Sequence, residues 1–386
     1  MDQIRVRCAV IRGGTSKGVY ILANELPSDP KKRDRVILRI FGSPDVRQID
    51  GLGGADPLTS KVAIISRSER PDADVDYTFG QVSLTDAFVD YSGNCGNISS
   101  GVGPFAIDEG LVKAVEPVTR VRIHNTNTGK ILIAEVPVKD GKARVIGDCR
   151  IDGVPGTAAE IKMDFADTAG AVTGKLLPTG NPRDILDVEG VGPIEVSLVD
   201  AANPMVFVRA RDLGLRGTES PAEVNNNKDL LNKLEAIRSA ACFRMGMVKS
   251  ASEATKKSPA FPMLAFVTQP VDYRDFTTGR LIPADSVDIV SRCMFMQVMH
   301  KTYAGTGTCC TGAAALIPGT VVNEVLRESA KTADVVRIGH PAGVISVEAR
   351  VEMGPSGPIL KRAIFSRTSR RIMDGYVYIP KDSVEE

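Results

Sequence analysis

The sequence predicts an α+β protein made of two similar halves, each consisting mainly of β-strands with one buried central helix. Strand-like segments dominate the chain, and a cysteine-bearing, glycine-rich turn precedes an apolar helix of small residues twice, at 92–97 and 305–310. The length of 386 residues also suits roughly two domains. Because a polar stretch with Pro and Gly at 179–192 is typical of a domain junction, we expect an N-terminal half at 1–185 and a C-terminal half at 186–386.

The expected strands are runs rich in Val, Ile and Tyr. They lie at 4–11, 18–22, 61–66, 75–84, 118–124, 131–138, 194–199, 205–209, 263–267, 335–338, 344–351 and 376–379. No sequence repeat relates the two halves, so their predicted similarity is one of architecture.

Two amphipathic helices are expected besides the central ones. The first spans Pro30–Phe41, with Asp29 as its N-cap and Gly42 at its end. The second spans Lys228–Arg244, where apolar residues recur at helical spacing.

The two central helices consist of small apolar residues, which suits close burial. One is expected to run from Gly96 towards Leu111. The other is expected to begin near Cys309 and to run through Leu316, with Pro318 kinking or ending it.

Composition limits the functional classes. The chain is 43% hydrophobic and 25% charged, with a formal net charge of +1, which is ordinary for a globular protein and gives no basic face for nucleic acid. Residues 1–7 lack the apolar core of a signal peptide, and no apolar run approaches the ~20 residues that span a membrane. We therefore expect a soluble, cytoplasmic protein that binds neither nucleic acid nor membrane.

Cysteine and histidine usage predicts neither disulfides nor a metal site. The seven cysteines are odd in number and irregularly spaced, unlike a disulfide framework. There is no Cys-x-x-Cys pair, and His124, His300 and His340 are isolated, so a bound metal is not expected. Most of the cysteines should be small buried hydrophobic residues.

Two glycine-containing loops could carry chemistry. The loop RGGTSKG at 12–18 exposes backbone N–H groups, and Ser16 adds a hydroxyl, a combination that suits carboxylate binding; the alternative is an ordinary hairpin turn. The loop at 51–60 leads into an apolar strand opened by Lys61. A lysine in that place is either functional or a surface charge.

Cys95 is expected at the start of a central helix, where backbone N–H groups and the helix dipole favour an anion. The flanking Asn94, Gly96 and Asn97 indicate a polar turn that could bind a substrate carboxylate; the alternative is a buried, inert cysteine.

The second cysteine-bearing turn has a similar appearance. Thr306, Gly307 and Thr308 could form an anion-binding helix start before Cys309 and Cys310. Because adjacent side chains point in different directions, at most one of the two thiols should face a site.

Several motifs together resemble the methylaconitate isomerase (PrpF-like) family. They are RGGTSKG at 12–18, GG at 53–54 with TSK at 59–61, GNCGN at 93–97, MHK at 299–301 with GTG at 305–307, IPGT at 317–320 and GHPAG at 339–343. They occur in order over nearly the whole chain. The NP pair at 203–204 is in addition similar to an epimerase pattern.

The resemblance implies the diaminopimelate epimerase-like fold, in which each half is a curved, mostly antiparallel sheet wrapped around a central helix and the active site lies between the halves. It also implies a cofactor-independent isomerase that shifts a proton and a double bond in a small unsaturated di- or tricarboxylate. The preferred reaction is 3-methylitaconate to 2,3-dimethylmaleate; the alternatives are cis–trans isomerisation of 2-methylaconitate and tautomerisation of 4-oxalomesaconate. Self-association into a homo-oligomer stays open.

The resemblance assigns catalysis to Lys61 and Cys95, and it favours Lys61 as the base. A Cys95 thiolate as base, with Lys61 as anchor or acid, remains the alternative. The other classes considered are an epimerase with Cys95 and Cys309 as opposed bases, a dehydrogenase suggested by the glycines at 305 and 307, a pyridoxal enzyme using Lys61, and a carboxylate-binding protein without activity. The dehydrogenase is disfavoured because the βαβ context is missing.

Overall fold

The computed structural model describes residues 2–355 and 357–382. The strands are β1 (Gln3–Gly13), β2 (Ser16–Leu22), β3 (Lys61–Arg67), β4 (Val75–Val82), β5 (Val89–Asp90), β6 (Val118–Asn125), β7 (Lys130–Lys139), β8 (Lys142–Ala143), β9 (Ile161–Asp164), β10 (Asp184–Val188), β11 (Gly192–Ala201), β12 (Asn203–Arg209), β13 (Met263–Thr268), β14 (Tyr273–Arg274), β15 (Leu281–Ile282), β16 (Ile289–Phe295), β17 (Val298–Met299), β18 (Val335–His340), β19 (Gly343–Gly354), β20 (Gly357–Arg367) and β21 (Ser369–Pro380).

The α-helices are α1 (Pro30–Phe41), α2 (Gly96–Asp108), α3 (Pro221–Asn225), α4 (Lys228–Arg244), α5 (Ala254–Lys257), α6 (Gly305–Leu316) and α7 (Val321–Val325). Short 3₁₀ turns lie at Ala23–Glu25, Pro57–Thr59, Ala166–Thr168, Ala210–Leu213, Ala251–Glu253, Ala284–Ser286 and Glu328–Thr332.

The chain divides into two units. The first comprises Met1–Met163 and Arg367–Glu386, and the second comprises Asp164–Ser366. The C-terminal strand belongs to the first unit because β21 pairs antiparallel with β1 from one end to the other. The predicted boundary between residues 185 and 186 differs from this division: it falls inside β10, which pairs with β11 of the second unit.

The two units share one order of strand pairing. In the first, β1–β2 is antiparallel, β2–β3 parallel, β3–β4 antiparallel, β4–β6 parallel and β6–β7 antiparallel. In the second, β11–β12, β12–β13, β13–β16, β16–β18 and β18–β19 repeat the same alternation. Helices lie in the connection between each parallel pair, as parallel pairing requires a crossover. The predicted α+β fold of two similar halves is confirmed.

The central helices are packed closely by their strands. Helix α2 contacts β1, β2, β3, β4, β6, β7 and β21, and α6 contacts β11, β12, β18 and β19. A Cβ at Gly101 would lie 2.3 Å from the Tyr20 hydroxyl, and one at Gly312 would lie 2.6 Å from Val347 Cγ1. These distances leave no room for a larger residue, which explains the small-residue composition of both helices.

The two amphipathic helices are confirmed with the predicted bounds. In α1 the Asp29 carboxylate accepts a hydrogen bond from the Lys32 N–H at 2.8 Å, and Gly42 closes the helix in the left-handed conformation with φ 72°. The buried face of α1 packs into the core of the first unit, and that of α4 packs into the core of the second.

All the predicted strands are present, but the structure has further strands that were not predicted: β5, β8, β9, β10, β14, β15, β16, β17 and β20. In β16 every residue is buried although the strand contains Ser291 and Arg292. The Arg292 guanidinium lies 4.9 Å from the centre of the Tyr273 ring and donates a hydrogen bond to the Glu219 carbonyl at 2.8 Å. Tertiary contacts therefore pair the buried Arg292 side chain. Its charge interrupts the apolar run, which is why the sequence pattern did not predict this strand.

The predicted start of the second central helix was wrong. Helix α6 begins at Gly305 with Ala304 as its N-cap, four residues before Cys309. The glycines at 305 and 307 thus form the first turn of the helix because close packing around α6 compensates for their low helix propensity. Cys309 and Cys310 consequently lie in the second turn, and both are fully buried.

No helix within residues 2–355 and 357–382 is long and apolar enough to cross a membrane.

Candidate active site

Lys61 is a buried lysine at the first position of β3. It lies beside Gly18 of β2 and opposite Gln81 of β4, and its residue surface is only 2% exposed. Its Nζ donates a hydrogen bond to Gln81 Oε1 at 2.5 Å and lies 5.4 Å from the centre of the Phe79 ring. The alternative of a surface charge is thereby excluded.

The Lys61 amine is held close to the Cys95 thiol. Burial lowers the pKa of Lys61 below its ordinary value of 10.5, while the negative charge of Cys95, the charge of Asp56 and a hydrogen bond to the Cys95 side chain act in the opposite direction. A buried amine with a lowered pKa is more readily neutral, and a neutral amine can accept a proton.

Cys95 is the N-cap of α2, as the sequence predicts, and its free thiol is partly exposed. The Cys95 side chain makes no capping hydrogen bond to the first turn, and the positive end of the helix dipole lies at this point. The charge of Cys95 also raises the pKa of Tyr20 and Tyr77, after the larger effect of burial. The thiol therefore lies among buried groups and beside a helix start that favours an anion.

The two asparagines and the glycine around Cys95 build the turn. Asn94 Oδ1 accepts hydrogen bonds from the Cys95 N–H at 2.7 Å and from the Ser99 hydroxyl at 3.0 Å. Asn97 Oδ1 accepts one from Arg367 Nε at 2.8 Å, and Asn97 Nδ2 donates to Thr15 Oγ1 at 3.2 Å. Gly96 is the first residue of α2. Both side-chain amides thus brace the turn, so a substrate-binding role for Asn94, Gly96 and Asn97 stays a prediction.

Ser16 lies next to this turn and has an unusual environment. Its residue surface is 2% exposed, and its hydroxyl has no hydrogen-bond partner within the described part of the chain. Ser369, which the sequence analysis missed, is 6% exposed and likewise lacks a partner for its hydroxyl there. Leaving a buried hydroxyl unpaired costs about 1–3 kcal/mol, which marks both groups as candidates for ligand contact.

Strand register places the two serines around one glycine. Gly13 lies opposite Ser16 on one side and opposite Ser369 on the other, and directly opposed residues project from the same face of a sheet. A Cβ at Gly13 would lie 2.3 Å from the Asn97 carbonyl oxygen. The serine side chains therefore lie on the sheet face that carries the first turn of α2.

The first unit thus brings together Ser16, Lys61, Asn94, Cys95, Gly96 and Asn97. Three residues missed from the sequence belong to the same cluster: Gln81, Arg367 and Ser369. Gln81 could have been found by aligning the predicted strands at 61–66 and 75–84 as a hairpin, because the register places it opposite Lys61.

The remaining predicted residues lie in the second unit, in the first turns of α6. Thr306 Oγ1 accepts a hydrogen bond from Asn203 Nδ2 at 2.8 Å, and Thr308 Oγ1 donates to the Ala304 carbonyl at 3.0 Å. Gly307 is buried between them. Both hydroxyls have protein partners, so a substrate contact by Thr306, Gly307 or Thr308 also stays a prediction.

Cys309 and Cys310 are placed unlike Cys95. Cys310 Sγ lies 3.3 Å from the Val199 carbonyl oxygen, and burial raises the pKa of that thiol. The position that corresponds to Cys95, the partly exposed N-cap of the central helix, holds Ala304 in the second unit. An epimerase with Cys95 and Cys309 as opposed bases is therefore not supported.

Metal-ligating side chains are dispersed. Within the described residues, no group of three or more His, Cys, Asp and Glu side chains is placed to hold a metal ion.

Comparison with solved structures first shows the type of fold. The chain is similar in fold to a probable proline racemase from Agrobacterium radiobacter K84, with a TM-score of 0.55 and 15% identity over 96% of this chain and 92% of the other. This likeness shows the fold, an epimerase-like α+β architecture.

The chain belongs to the PrpF protein family, whose model matches residues 3–380. It is 64% identical over 380 residues to the 3-methylitaconate isomerase of Eubacterium barkeri, covering 98% of each chain. It is also similar to a crystal structure of methylitaconate-delta-isomerase, with 63% identity, a TM-score of 0.81 and coverage of 100% of this chain and 98% of the other.

The names of two more distant family members indicate other substrates. The chain is 41% identical to the 2-methyl-aconitate isomerase of Shewanella oneidensis, covering 98% of each chain. It is 43% identical to the 4-oxalomesaconate tautomerase of Pseudomonas putida, covering 99% of this chain and 98% of the relative. The chain is therefore an isomerase, as the sequence predicts.

Proposed function

We propose that this protein interconverts 3-methylitaconate and 2,3-dimethylmaleate by moving one proton and the double bond within the substrate. The observation that carries the proposal is the placement of the buried Lys61 amine, held by Gln81, within interaction range of the Cys95 side chain at the start of α2. The full-length identity of 64% to a 3-methylitaconate isomerase supports this choice of substrate.

The reaction begins at Lys61. The neutral amine accepts the allylic proton of 3-methylitaconate and becomes an ammonium group. The electron pair left on carbon is delocalised through the double bond into the conjugated carboxylate, where backbone N–H groups at the start of α2 stabilise the added charge.

Cys95 completes the proton transfer. Its thiol donates a proton to the other end of the allyl unit, and the double bond settles in its new place. The thiolate then recovers a proton from the neighbouring Lys61 ammonium, which returns both groups to their starting states. No electrons enter or leave the substrate, so the step requires no redox cofactor.

Substrate binding uses groups that the protein leaves unsatisfied. The buried hydroxyls of Ser16 and Ser369 lack protein partners in the described residues and could donate hydrogen bonds to a substrate carboxylate. A small dicarboxylate is thus the expected ligand. The free thiols suit a reducing compartment, and we place the enzyme in the cytoplasm.

A substrate panel tests the proposal. The purified enzyme is assayed by ultraviolet absorbance with 3-methylitaconate, 2-methylaconitate and 4-oxalomesaconate, and 3-methylitaconate should give the highest kcat/KM. Turnover of only one of the other two would move the assignment to that substrate within the family. Turnover of none of the three would sink the proposal.

A further inference from the structure

The Lys61 amine is held by an amide whose own orientation is fixed. Gln81 is fully buried, and its Oε1 accepts the hydrogen bond from Lys61 Nζ. Its Nε2 donates to the Pro57 carbonyl at 3.1 Å and to the Ser60 carbonyl at 3.0 Å. Carbonyl oxygens only accept, so the amide cannot flip without opposing oxygen to oxygen. The amide oxygen is therefore locked towards Lys61.

Gln81 also holds the amine without adding charge. A carboxylate at this buried position would stabilise the ammonium form of Lys61, because opposite charges in contact favour ionisation. An amide oxygen accepts a hydrogen bond from either protonation state, since the neutral amine and the ammonium group both carry N–H donors.

We infer that Gln81 is a positioning residue for Lys61: its fixed amide oxygen holds the amine beside Cys95 while leaving it free to alternate between its neutral and protonated forms. The inference rests on the proposed function, in which Lys61 takes the proton from the substrate. It extends that function by naming the group that fixes the position of the Lys61 amine and still allows the amine to act as a base.

The chain offers a matched control in Gln48. Gln48 is 1% exposed, and its Nε2 donates hydrogen bonds to the hydroxyls of Ser43 at 2.9 Å and Ser60 at 2.6 Å. Its Oε1 accepts one from the Ala55 N–H at 2.9 Å. Gln48 is thus a second buried glutamine that hydrogen-bonds the loop before β3. Its amide oxygen accepts from a backbone N–H, whereas that of Gln81 accepts from the Lys61 amine.

The first experiment compares Gln81→Glu with Gln48→Glu in the pH profile of kcat/KM. In the unsubstituted enzyme kcat/KM should rise with pH as Lys61 loses its proton. In Gln81→Glu the rise should move to higher pH by at least about one unit, which gives a loss of about tenfold or more below the rise. The loss should shrink as the pH increases, whereas Gln48→Glu should shift the rise by clearly less, because position 48 faces Ser43, Ser60 and the Ala55 N–H rather than the amine. A pH-independent loss in Gln81→Glu, or an equal shift in Gln48→Glu, overturns the inference.

If Gln81→Glu does not fold, Gln81→Met tests the positioning role of Gln81 instead. Methionine keeps the length of the side chain and removes both hydrogen-bonding groups, so the amine is no longer held. Misplacing a reacting group by about 1 Å can cost roughly 100-fold; we expect kcat to fall at least about tenfold with KM nearly unchanged. Gln48→Met should keep its kcat. An unchanged kcat in Gln81→Met contradicts the positioning role.

A readout without substrate separates this inference from the proposed reaction. Lys61 is labelled with acetic anhydride over a range of pH, and its modification is followed by mass spectrometry. In Gln81→Glu the midpoint should move to higher pH. That shift without turnover of any substrate would support the Gln81 contact and reject the reaction. Turnover without that shift would reject the role of Gln81.

Discussion

Cys95 and Ala304 occupy the same position in their respective units: each is the N-cap of the central helix, and each precedes a glycine at the first helical position. Both are partly exposed. Because the two units share one order of strand pairing, the two N-cap positions correspond directly. The first unit has a thiol at this position, and the second has a methyl group. In the first unit the buried Lys61 amine lies beside that thiol, and in the proposed reaction it is the second proton-transfer group.

The cysteines of α6 should be dispensable for catalysis. Cys309→Ala and Cys310→Ala should each retain kcat/KM within about threefold, because both thiols are buried in the second turn of the helix. Cys95→Ser should lose about 10²–10⁴-fold, the usual contribution of a group that transfers a proton. Steady-state kinetics distinguish the variants. A loss in Cys309→Ala as large as that in Cys95→Ser would restore the two-cysteine epimerase.

Solvent exchange should identify the base. Lys61→Ala should abolish both isomerisation and exchange of the allylic proton with deuterated solvent, since it removes the proton acceptor. Cys95→Ser should retain part of the exchange while isomerisation falls, because the base is spared. Proton NMR of the substrate in D2O measures both rates. The reverse pattern, with exchange surviving in Lys61→Ala and lost in Cys95→Ser, would make the thiolate the base.

Removing the charge of Asp56 should move the pH profile to lower pH. That carboxylate raises the pKa of Lys61, so Asp56→Asn should lower it and make the amine neutral at lower pH. The asparagine can still accept the hydrogen bond that Asp56 receives from the Leu58 N–H at 2.9 Å. The rise of kcat/KM should therefore shift downwards with stability nearly unchanged.

The control for this prediction is Asp45→Asn. Asp45 accepts hydrogen bonds from the N–H groups of Arg47 and Ile49 at 3.2 and 3.1 Å in a surface loop. Its profile should stay in place. An upward shift in Asp56→Asn, or none, would contradict the electrostatic explanation.

The two unpartnered hydroxyls should matter for binding rather than for folding. Ser16→Ala and Ser369→Ala should raise KM about 5- to 30-fold, since each removes a hydrogen bond to the substrate worth about 1–2 kcal/mol. Their free energy of unfolding should not fall, because no protein hydrogen bond is lost. Denaturant unfolding and steady-state kinetics measure the two effects.

Ser197 provides the contrast. Its buried hydroxyl donates to the Pro182 carbonyl at 2.6 Å and accepts from the Val321 N–H at 2.9 Å. Ser197→Ala should therefore destabilise the protein by about 1–3 kcal/mol. If Ser16→Ala destabilises the protein equally and leaves KM unchanged, the hydroxyl is structural.

Activity should survive exhaustive dialysis against a chelator. Lys61 and Cys95 can perform both proton transfers, and no metal ion takes part in the proposed reaction. The assay is isomerisation of 3-methylitaconate before and after treatment with EDTA. A loss of activity that a divalent metal restores would refute the cofactor-independent mechanism.

Local signals in the sequence determined much of the fold and part of the site. The cap residues Asp29 and Gly42 fixed both ends of α1, because capping depends on neighbouring residues alone. Alternating or continuous runs of Val and Ile located most strands for the same reason. The GNCGN turn placed Cys95 at the start of a helix, and the order of motifs over the chain indicated the family.

Only the tertiary structure decided the remaining features, since each depends on groups distant in sequence. Packing against surrounding strands, not local propensity, starts α6 at Gly305 and buries Cys309. Pairing of β21 with β1 brings Ser369 beside Gly13 and returns the C-terminal strand to the first unit. The register of β3 and β4 places Gln81 against Lys61. Burial there, which no local pattern reveals, turns a strand-opening lysine into a candidate base.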